Sequence, residues 1–389
     1  MCIRDRNIPA EFDEIRPYEP EELPQIFEEL IADPAFQAVV SSVLPNIPLE
    51  KIFATLRQCK TNLDVQKNIF YSLLHGIMDK HSDGFDLDAS AIPDKQASHT
   101  FISNHRDIVL DPGFLSVGLL DNGFPTTVEI AIGDNLLIYP WIKKLVRVNK
   151  SFIVQRTLSM RQMLESSARM SRYIHFAITE KKENVWIAQR EGRAKDSDDR
   201  TQESVLKMLA MGGGGHIIDR LKELNIAPVS ISYEYDPCDF LKAQEMQQKR
   251  DIPEFKKSQE DDLRNMQTGI FGYKGHVHFH VTACINEELE QLRNLPKTEI
   301  FTRIAQLIDR RIHANYRLYP GNYIACDELE GNNRYADKYT AADKERFETY
   351  LQQKLALIQL PDKDEAFLRN RILTMYANPV INHRKATEE

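Results

Sequence analysis

The chain has 389 residues, of which 42% are hydrophobic and 28% charged, with a formal net charge of −8 at pH 7. This length accommodates a catalytic domain of more than about 200 residues beside a smaller one. The acidic balance argues against broad electrostatic binding of nucleic acid, and no apolar run approaches the roughly 18 residues that span a bilayer. The five cysteines show neither metal-ligand nor disulfide spacing, which favours a reducing compartment. The N-terminal residues lack a signal-peptide core.

The first part of the chain predicts helices. Residues 20–80 carry apolar side chains at helical spacing, interrupted by prolines, and indicate a small N-terminal helical domain. Residues 82–95 contain Gly84, Pro93 and several aspartates, so we predict a linker there; the aspartate spacing does not match a calcium-binding loop. We therefore expect an N-terminal helical domain and linker over 1–95, a catalytic domain over 96–330, and C-terminal helices packed on it over 331–389.

From residue 97 onward, short apolar segments alternate with helical patterns. Strands are predicted at 99–103, 128–132, 152–154, 185–188 and 227–233, with a helix from Pro112. This alternation predicts an α/β fold, a mixed sheet flanked by helices. Further along, we predict a solvated helical insertion over 244–265, closing helices over 300–316 and 341–356, and a frayed end over 384–389.

The most informative segment runs from Ser103 to Pro112 (SNHRDIVLDP). His105 follows a predicted strand, and Asp111 before Pro112 has the pattern of a helix N-cap with proline at the first helical position. An imidazole with a pKa near about 6.5 becomes a competent general base when a carboxylate fixes its tautomer. Both Asp107 and Asp111 are candidates for that carboxylate. No elbow motif supplies a nucleophilic serine or cysteine nearby, so we expect the nucleophile to belong to a substrate.

Four segments, in this order, resemble the sequence blocks of the glycerol-3-phosphate and 1-acylglycerol-3-phosphate acyltransferase family. The segments are His105 to Asp111, Lys150 to Arg156 (KSFIVQR), Arg190 to Lys195 (REGRAK) and Ala227 to Ser232 (APVSIS). Together they cover roughly residues 99 to 285. The Glu-Gly-Arg block and its distance from the histidine are the most specific parts, whereas a proline before an apolar strand is a weak signal alone.

The first block departs from the family pattern, which places aspartate after four intervening residues. Here that position is Leu110, and Asp111 lies one residue beyond it. We favour Asp111 as the partner of His105, because a longer entry into the helix can return its carboxylate to the ring. The Asp-Pro pair also resembles that of plastid-type members. On this interpretation Asp107 caps the turn or pairs with Arg106.

The resemblance implies a fold like that of the glycerol-3-phosphate acyltransferases and a role for each block. Acyl transfer to a hydroxyl requires a base, and a phosphate clamp that positions the acceptor. His105 would be the base, and Arg156, Arg193 and Lys195 would hold the phosphate. Gly192 would let the backbone approach the substrate closely, and Glu191 would either buttress an arginine or touch the substrate.

Three other patterns have simpler interpretations. The Gly212 to His216 run lacks the lysine and hydroxyl residue of a phosphate-binding loop, so we predict a turn. His276, His278 and His280 fall on one face of a predicted strand, but no carboxylate ligand is apparent; we predict neither metal nor cofactor. Residues 136–148 combine Trp141 and leucines with basic side chains. They indicate either a surface for a membrane or an acidic carrier protein, or a core element with a basic edge.

We therefore expect an acyltransferase of phospholipid biosynthesis that uses acyl-CoA or acyl-carrier-protein as donor. The expected acceptor is glycerol-3-phosphate, with lysophosphatidate next, because of the extra helical domain and the overall size. The alternatives are an acyltransferase for another lipid acceptor, such as a lyso-ornithine lipid or a lysophospholipid, or a non-catalytic lipid- or carrier-binding protein of the same fold. A zinc hydrolase using the histidines ranks last. We expect a cytoplasmic protein without nucleic-acid partners, and peripheral contact with the inner face of the cell membrane stays open.

Overall fold

The computed structural model describes residues 8–155 and 160–388. Within them lies a seven-stranded sheet of strand order β1-β7-β6-β2-β5-β3-β4. The strands are β1 (Gly84–Asp88), β2 (Thr100–Ser103), β3 (Val128–Gly133), β4 (Ser151–Val154), β5 (Asn184–Ala188), β6 (Ile226–Tyr233) and β7 (His276–Val281). β6 and β7 pair antiparallel, and every other neighbouring pair is parallel. The carboxyl ends of β2 to β6 therefore lie along one edge of the sheet.

Helices flank this sheet, and further helices form the N-terminal and C-terminal parts of the chain. The helices are α1 (Leu23–Ile31), α2 (Pro34–Val43), α3 (Leu49–Gln58), α4 (Asn62–Val65), α5 (Tyr71–His81), α6 (Leu110–Asp121), α7 (Pro140–Val148), α8 (Met160–Phe176), α9 (Glu203–Leu209), α10 (Ile217–Glu223), α11 (Asp239–Asp251), α12 (Gln259–Phe271), α13 (Asn286–Gln291), α14 (Lys297–Ala314), α15 (Pro320–Glu330), α16 (Ala341–Ala356) and α17 (Glu365–Glu388). None of them combines the length and apolar composition that a membrane span requires.

Alternating side chains of the central strand divide the core into two layers. Phe101 packs with Phe114 of α6 on one face of the sheet, and Ile102 packs with Tyr173 of α8 and Ile308 of α14 on the other. The period of two along β2 thus buries both faces, as expected for a parallel strand covered by helices on each side. The predicted fold class, a mixed α/β sheet flanked by helices, is confirmed.

Separate apolar clusters hold the two ends of the chain. The N-terminal helices α1 to α3 pack around Phe27, Leu30 and Phe53 and contact Val148 of α7. The helices α11 and α15 to α17 pack around Leu351 and other apolar residues. The helices predicted over residues 20–80 are present. The division of the chain into 1–95, 96–330 and 331–389 stays a prediction.

The linker prediction for residues 82–95 is wrong, because β1 lies within it. Asp86 and Asp88 of β1 stand opposite His278 and His280 of β7 in the parallel register. A segment rich in aspartate has little intrinsic strand preference. Pairing of its carboxylates with histidines on the adjacent strand compensates for that.

Two predictions for the C-terminal half also need correction. The segment 244–265 is only partly solvated, since Gln247 of α11 is buried and donates to the carbonyl oxygen of Asp362 at 2.6 Å. The tail is helical up to Glu388, and Arg384 donates to Tyr335 Oη at 3.2 Å. Helix α15 was not predicted, whereas α17 lies within the C-terminal helices expected over 331–389; it contains Pro379, which ordinarily argues against a helix interior.

Candidate active site

The loop that carries His105 follows the central strand β2 and is anchored on both sides. Asn104 exchanges two hydrogen bonds with the backbone of Ile231 in β6, at 2.8 and 2.9 Å. Arg106 makes a two-point contact with the buried Asp199 carboxylate, at 2.9 and 2.6 Å. Because the residues before and after His105 are fixed, the backbone position of His105 is well determined.

His105 and Asp111 are hydrogen-bonded, with Nδ1 of the ring 2.8 Å from Oδ2 of the carboxylate. The Asp111 side chain is fully buried, whereas His105 keeps a small exposed fraction. Oδ2 also accepts the backbone N–H of Arg106 at 2.6 Å and of Asp107 at 3.0 Å, and Oδ1 accepts the Tyr233 hydroxyl at 3.3 Å. These donors hold the Asp111 side chain in a fixed orientation. The contact predicted between His105 and Asp111 is present, and its catalytic role stays a prediction.

Asp107 contacts the start of helix α6 instead of the ring. Its Oδ1 accepts the backbone N–H groups of Val109 at 2.9 Å and Leu110 at 2.7 Å. Burial, and then the nearby Asp111 charge, raise the pKa of Asp107. The prediction that Asp111 is the N-cap is therefore wrong: α6 begins at Leu110, and Asp107 caps its first turn. Arg106 pairs with Asp199, which excludes the alternative Arg106–Asp107 pair.

Trp186 of β5 forms the wall beside His105. The two rings meet edge to face, with centroids 5.5 Å apart and an interplanar angle of 65°. The indole Nε1 donates to Ser103 Oγ at 3.0 Å, which fixes the tryptophan relative to β2. The His105 ring is therefore held by Asp111 at Nδ1 and by Trp186 on one side.

A cleft of about 530 Å³ opens at this edge of the sheet. We call it the carboxyl-edge cleft. Part of its wall is apolar, built from side chains that include Ile108, Ile130, Ile132, Leu136, Trp186 and Ala188. The remainder is charged and includes His105, Arg190, Glu191, Arg193, Lys195, Asp196, Lys242, Glu245, Lys257 and Asp262, with Gly192. An amphiphilic ligand with an anionic group fits such a lining.

The Arg190 to Lys195 segment follows β5 and lies in the same cleft as His105. Arg193 donates from Nη2 to Asn265 Oδ1 of α12 at 3.0 Å, and no hydrogen bond to the described residues satisfies its buried Nη1. Gly192 has φ +67°, a conformation that favours glycine. Glu191 is exposed, with its backbone N–H donating to Gln202 at 2.8 Å.

Lys195 forms an ion pair with Glu245 of α11. Burial lowers the pKa of Lys195 to about 8, although the Glu245 carboxylate opposes that shift. His105, Glu191, Gly192, Arg193 and Lys195, predicted from separate blocks, thus line one cleft. Arg156 lies outside the described residues. The chemical roles of all these residues stay predictions.

The described lining of the cleft contains no serine, threonine or cysteine. Cys238 directly precedes α11, the helix that contributes Lys242 and Glu245 to the cleft. Its side chain is buried, and burial raises the pKa of its thiol to about 12. A thiol of that kind is not a thiolate nucleophile near neutral pH. The source of the nucleophile stays a prediction.

The histidines of β7 are paired one by one and do not converge. His278 Nδ1 lies 2.6 Å from Asp86 Oδ2, and His280 Nδ1 lies 3.3 Å from Asp88 Oδ2. Asp83, Glu234 and His276 have donor atoms within 4.8 Å of one another. These three residues are partly or fully exposed and do not line the carboxyl-edge cleft. Nothing in this arrangement connects a metal to the His105 site.

The remaining motifs have structural surroundings. The glycine run lies in the turn between α9 and α10, where a Cβ on Gly213 would stand 2.8 Å from the His175 ring. In the 136–148 segment, Trp141 of α7 packs on Phe36 with centroids 6.0 Å apart, and Lys144 pairs with Glu29 at 2.9 Å. These contacts favour a core element with a basic edge.

Several residues of the site were not singled out from the sequence. Trp186 and Tyr233 lie inside predicted strands, and only the adjacency of β5, β2 and β6 brings them to His105 and Asp111. Asn265 and Glu245 lie in the segment predicted to be solvated. The sequence does not indicate that Glu245 pairs with Lys195, because the two residues are fifty positions apart.

Comparisons with known proteins give little beyond this geometry. No family model matches the chain, and no curated protein matches it. Among solved structures, the chain is similar to the crystal structure of the 1-acyl-sn-glycerophosphate (LPA) acyltransferase PlsC from Thermotoga maritima, with a TM-score of 0.39 and 10% sequence identity. The match covers 75% of this chain and 96% of that one. A TM-score this low establishes no relationship, so the function has to be inferred from the cleft itself.

Proposed function

We propose that this chain is an O-acyltransferase that moves an acyl group from a thioester to the hydroxyl of a phosphorylated glycerol acceptor. Its donor would be acyl-CoA or acyl-carrier-protein, and its acceptor glycerol-3-phosphate or lysophosphatidate. The observation that carries the proposal is the His105–Asp111 pair at the wall of a cleft that is apolar on one part and charged on another, where five arginines and lysines lie among four carboxylates.

The geometry of the pair supports general-base chemistry. With Nδ1 bound to Asp111, Nε2 is the ring nitrogen left to accept a proton. The buried carboxylate fixes this tautomer and stabilises the imidazolium that forms when a hydroxyl proton is taken up. The two backbone N–H donors on Oδ2 hold the Asp111 carboxylate in place.

In the proposed reaction, the acceptor hydroxyl gives its proton to His105 Nε2 while its oxygen attacks the thioester carbonyl carbon. The tetrahedral intermediate then collapses, the carbon–sulfur bond breaks, and the thiolate takes the proton back from the imidazolium. One ester bond forms as one thioester bond is lost. No protein nucleophile is required, in keeping with a described lining that offers none.

The arginines and lysines of the cleft support the choice of a phosphorylated acceptor. Arg193 carries a buried Nη1 that is unsatisfied among the described residues, and a phosphate oxygen would complete its hydrogen bonding. The apolar wall around Ile130, Ile132 and Leu136 offers a surface for the acyl chain. Burial of methylene groups there would contribute about 0.8 kcal/mol each.

The experiment is a transfer assay with labelled glycerol-3-phosphate and lysophosphatidate, each offered with acyl-CoA and with acyl-carrier-protein. We expect ester formation with at least one pair, and a loss of about 100-fold or more in turnover for His105→Ala. His75→Ala, a partly exposed histidine of α5, serves as the matched control and should leave turnover near wild type. Absence of transfer with all four pairs, or near-normal activity of a folded His105→Ala variant, contradicts the proposal.

A further inference from the structure

Glu245 is a nearly buried carboxylate surrounded by ammonium groups at the wall of the carboxyl-edge cleft. Its Oε1 contacts Lys195 and lies 3.1 Å from Lys249 Nζ, and its Oε2 lies 3.7 Å from Lys257 Nζ. Glu245 is 5% exposed, whereas the Lys249 side chain is about half exposed. Lys195, Glu245 and Lys257 all line the cleft.

These lysines exceed the carboxylates that neutralise them. Lys257 also pairs with Asp262 at 3.0 Å, so among the described residues two acidic groups pair with Lys195, Lys249 and Lys257. Burial alone would raise the pKa of Glu245, but the contact with Lys195 holds it below its usual value. Lys195 is itself partly removed from water, and burial lowers its pKa. The group is therefore arranged around a negative charge and keeps an excess of positive charge.

We propose that the Glu245 carboxylate competes with the substrate's phosphate for Lys195, Lys249 and Lys257. The phosphate displaces Glu245 from these lysines when it binds. Lys249 and Lys257 are then part of the anion subsite, although they lie outside every sequence block. This inference rests on the proposed function only in that the acceptor carries a phosphate group.

Charge and tethering give the physical reason. A phosphate monoester carries a charge of about −1.5 to −2 at pH 7, so it interacts more strongly with three ammonium groups than one carboxylate does. Because Glu245 is part of the same chain, it is present beside these lysines at a high effective concentration. A free ligand has to displace it, which weakens the binding of every anion that uses these lysines. Lysine side chains are flexible enough to change partner without movement of the backbone.

The exchange has a consequence for turnover. Both acceptor and product of the proposed reaction carry the phosphate, so the return of Glu245 to the lysines would assist release of product. Glu245 would thus act through the lysines as a specificity-determining residue and would not touch the reacting atoms.

The test is the affinity of Glu245→Gln for sn-glycerol 3-phosphate and for inorganic phosphate, measured by titration calorimetry without any acyl donor. We expect binding about tenfold tighter than in wild type, because a neutral amide competes poorly for ammonium groups. Lys249→Met should weaken binding of both probes. Glu260→Gln changes net charge equally on the exposed start of α12 and should leave affinity near wild type.

Unchanged or weaker phosphate binding in Glu245→Gln overturns the inference, since a merely structural ion pair predicts one of those results. Unaltered binding in Lys249→Met overturns the enlarged subsite. If Glu245→Gln does not fold, Glu245→Asp decides: its shorter carboxylate should also tighten binding, and a loss of affinity refutes the idea. The binding measurement needs no acyl donor and is therefore independent of the transfer assay. Tighter phosphate binding by Glu245→Gln together with no acyl transfer by the wild type would contradict the proposed function but support this inference.

Discussion

Gly269 of α12 lies directly against Asp107: a Cβ atom at position 269 would stand 1.8 Å from the Asp107 Oδ2 and 3.0 Å from its Cγ. Asp107 cannot easily move away, because its other oxygen caps α6 and the residue is buried. Helix α12 therefore rests on the turn that carries His105. Asn265 of the same helix accepts a hydrogen bond from Arg193, so the position of α12 affects both the histidine loop and the arginine of the cleft.

Gly269→Ala should displace α12 or break the Asp107 cap. We expect a loss of about 1–3 kcal/mol in the free energy of unfolding, typical of overpacking, together with reduced turnover. Gly214→Ala is the matched control, since a Cβ there meets nothing within 4 Å. Urea unfolding and the transfer assay measure both effects. Equal stability and equal turnover in the two variants would show that α12 can move to accommodate the added methyl group without destabilising the protein.

Asp111→Asn should lower turnover far more than Asp107→Asn, by about 100-fold or more. An amide at 111 cannot stabilise an imidazolium as a carboxylate does. At 107, an asparagine keeps a side-chain oxygen that can still accept from the start of α6. Turnover in the two variants, with thermal unfolding as a check on folding, decides the matter. A dead Asp107→Asn variant with an active Asp111→Asn variant would reverse the assignment.

Arg193→Lys should raise the acceptor Michaelis constant about ten- to a hundred-fold, with much less change for the donor. The ammonium keeps the charge but loses the planar two-point contact with phosphate, and charge-assisted hydrogen bonds are worth about 1.5–3 kcal/mol each. Arg200→Lys, on the same loop and about half exposed, is the control. Steady-state kinetics with phosphorylated and phosphate-free glycerol acceptors give the comparison. The same loss with both acceptors would mean that Arg193 does not recognise phosphate.

Lys274 should make stability depend on pH in the alkaline range. Its fully buried ammonium donates to the carbonyl oxygens of Ile270 at 3.0 Å and Gly272 at 2.6 Å, and burial lowers its pKa to about 8. In the unfolded chain the pKa returns to about 10.4. Between these values the unfolded state binds more protons, so this group makes the free energy of unfolding increase as pH rises from about 8 to 10.4.

Lys274→Met removes that titration. The difference between wild type and variant in the free energy of unfolding should change by as much as about 3 kcal/mol across this pH range. Urea unfolding of both proteins at several pH values between 7 and 10.5 measures it. Parallel pH profiles for the two proteins would show that Lys274 titrates normally.

The parts of the fold that follow local pattern were predictable. The strands β2 to β6 are short apolar segments, and their side chains bury both faces of the sheet whatever their order. β1 was missed because its aspartates gain strand stability only from the histidines of β7. α17 contains Pro379 in its interior, and packing against α15 and α11 holds the helix around it.

The candidate site divides in the same way. His105 stood out because a histidine and carboxylates at a strand end are a local pattern. The sequence pattern places the start of α6 at Pro112, whereas the helix begins at Leu110, so Asp107 and not Asp111 caps its first turn. Glu245 and Asn265 could not be assigned, because their contacts join distant segments across the cleft.

The contact between Trp186 and His105 also provides an optical reporter. The chain has two tryptophans, and the other, Trp141, is packed on Phe36 in the N-terminal helical cluster. In a Trp141→Phe variant, the emission would come from the indole at the wall of the cleft alone. Ligands entering the cleft would change the same signal, and their binding could be timed without a label.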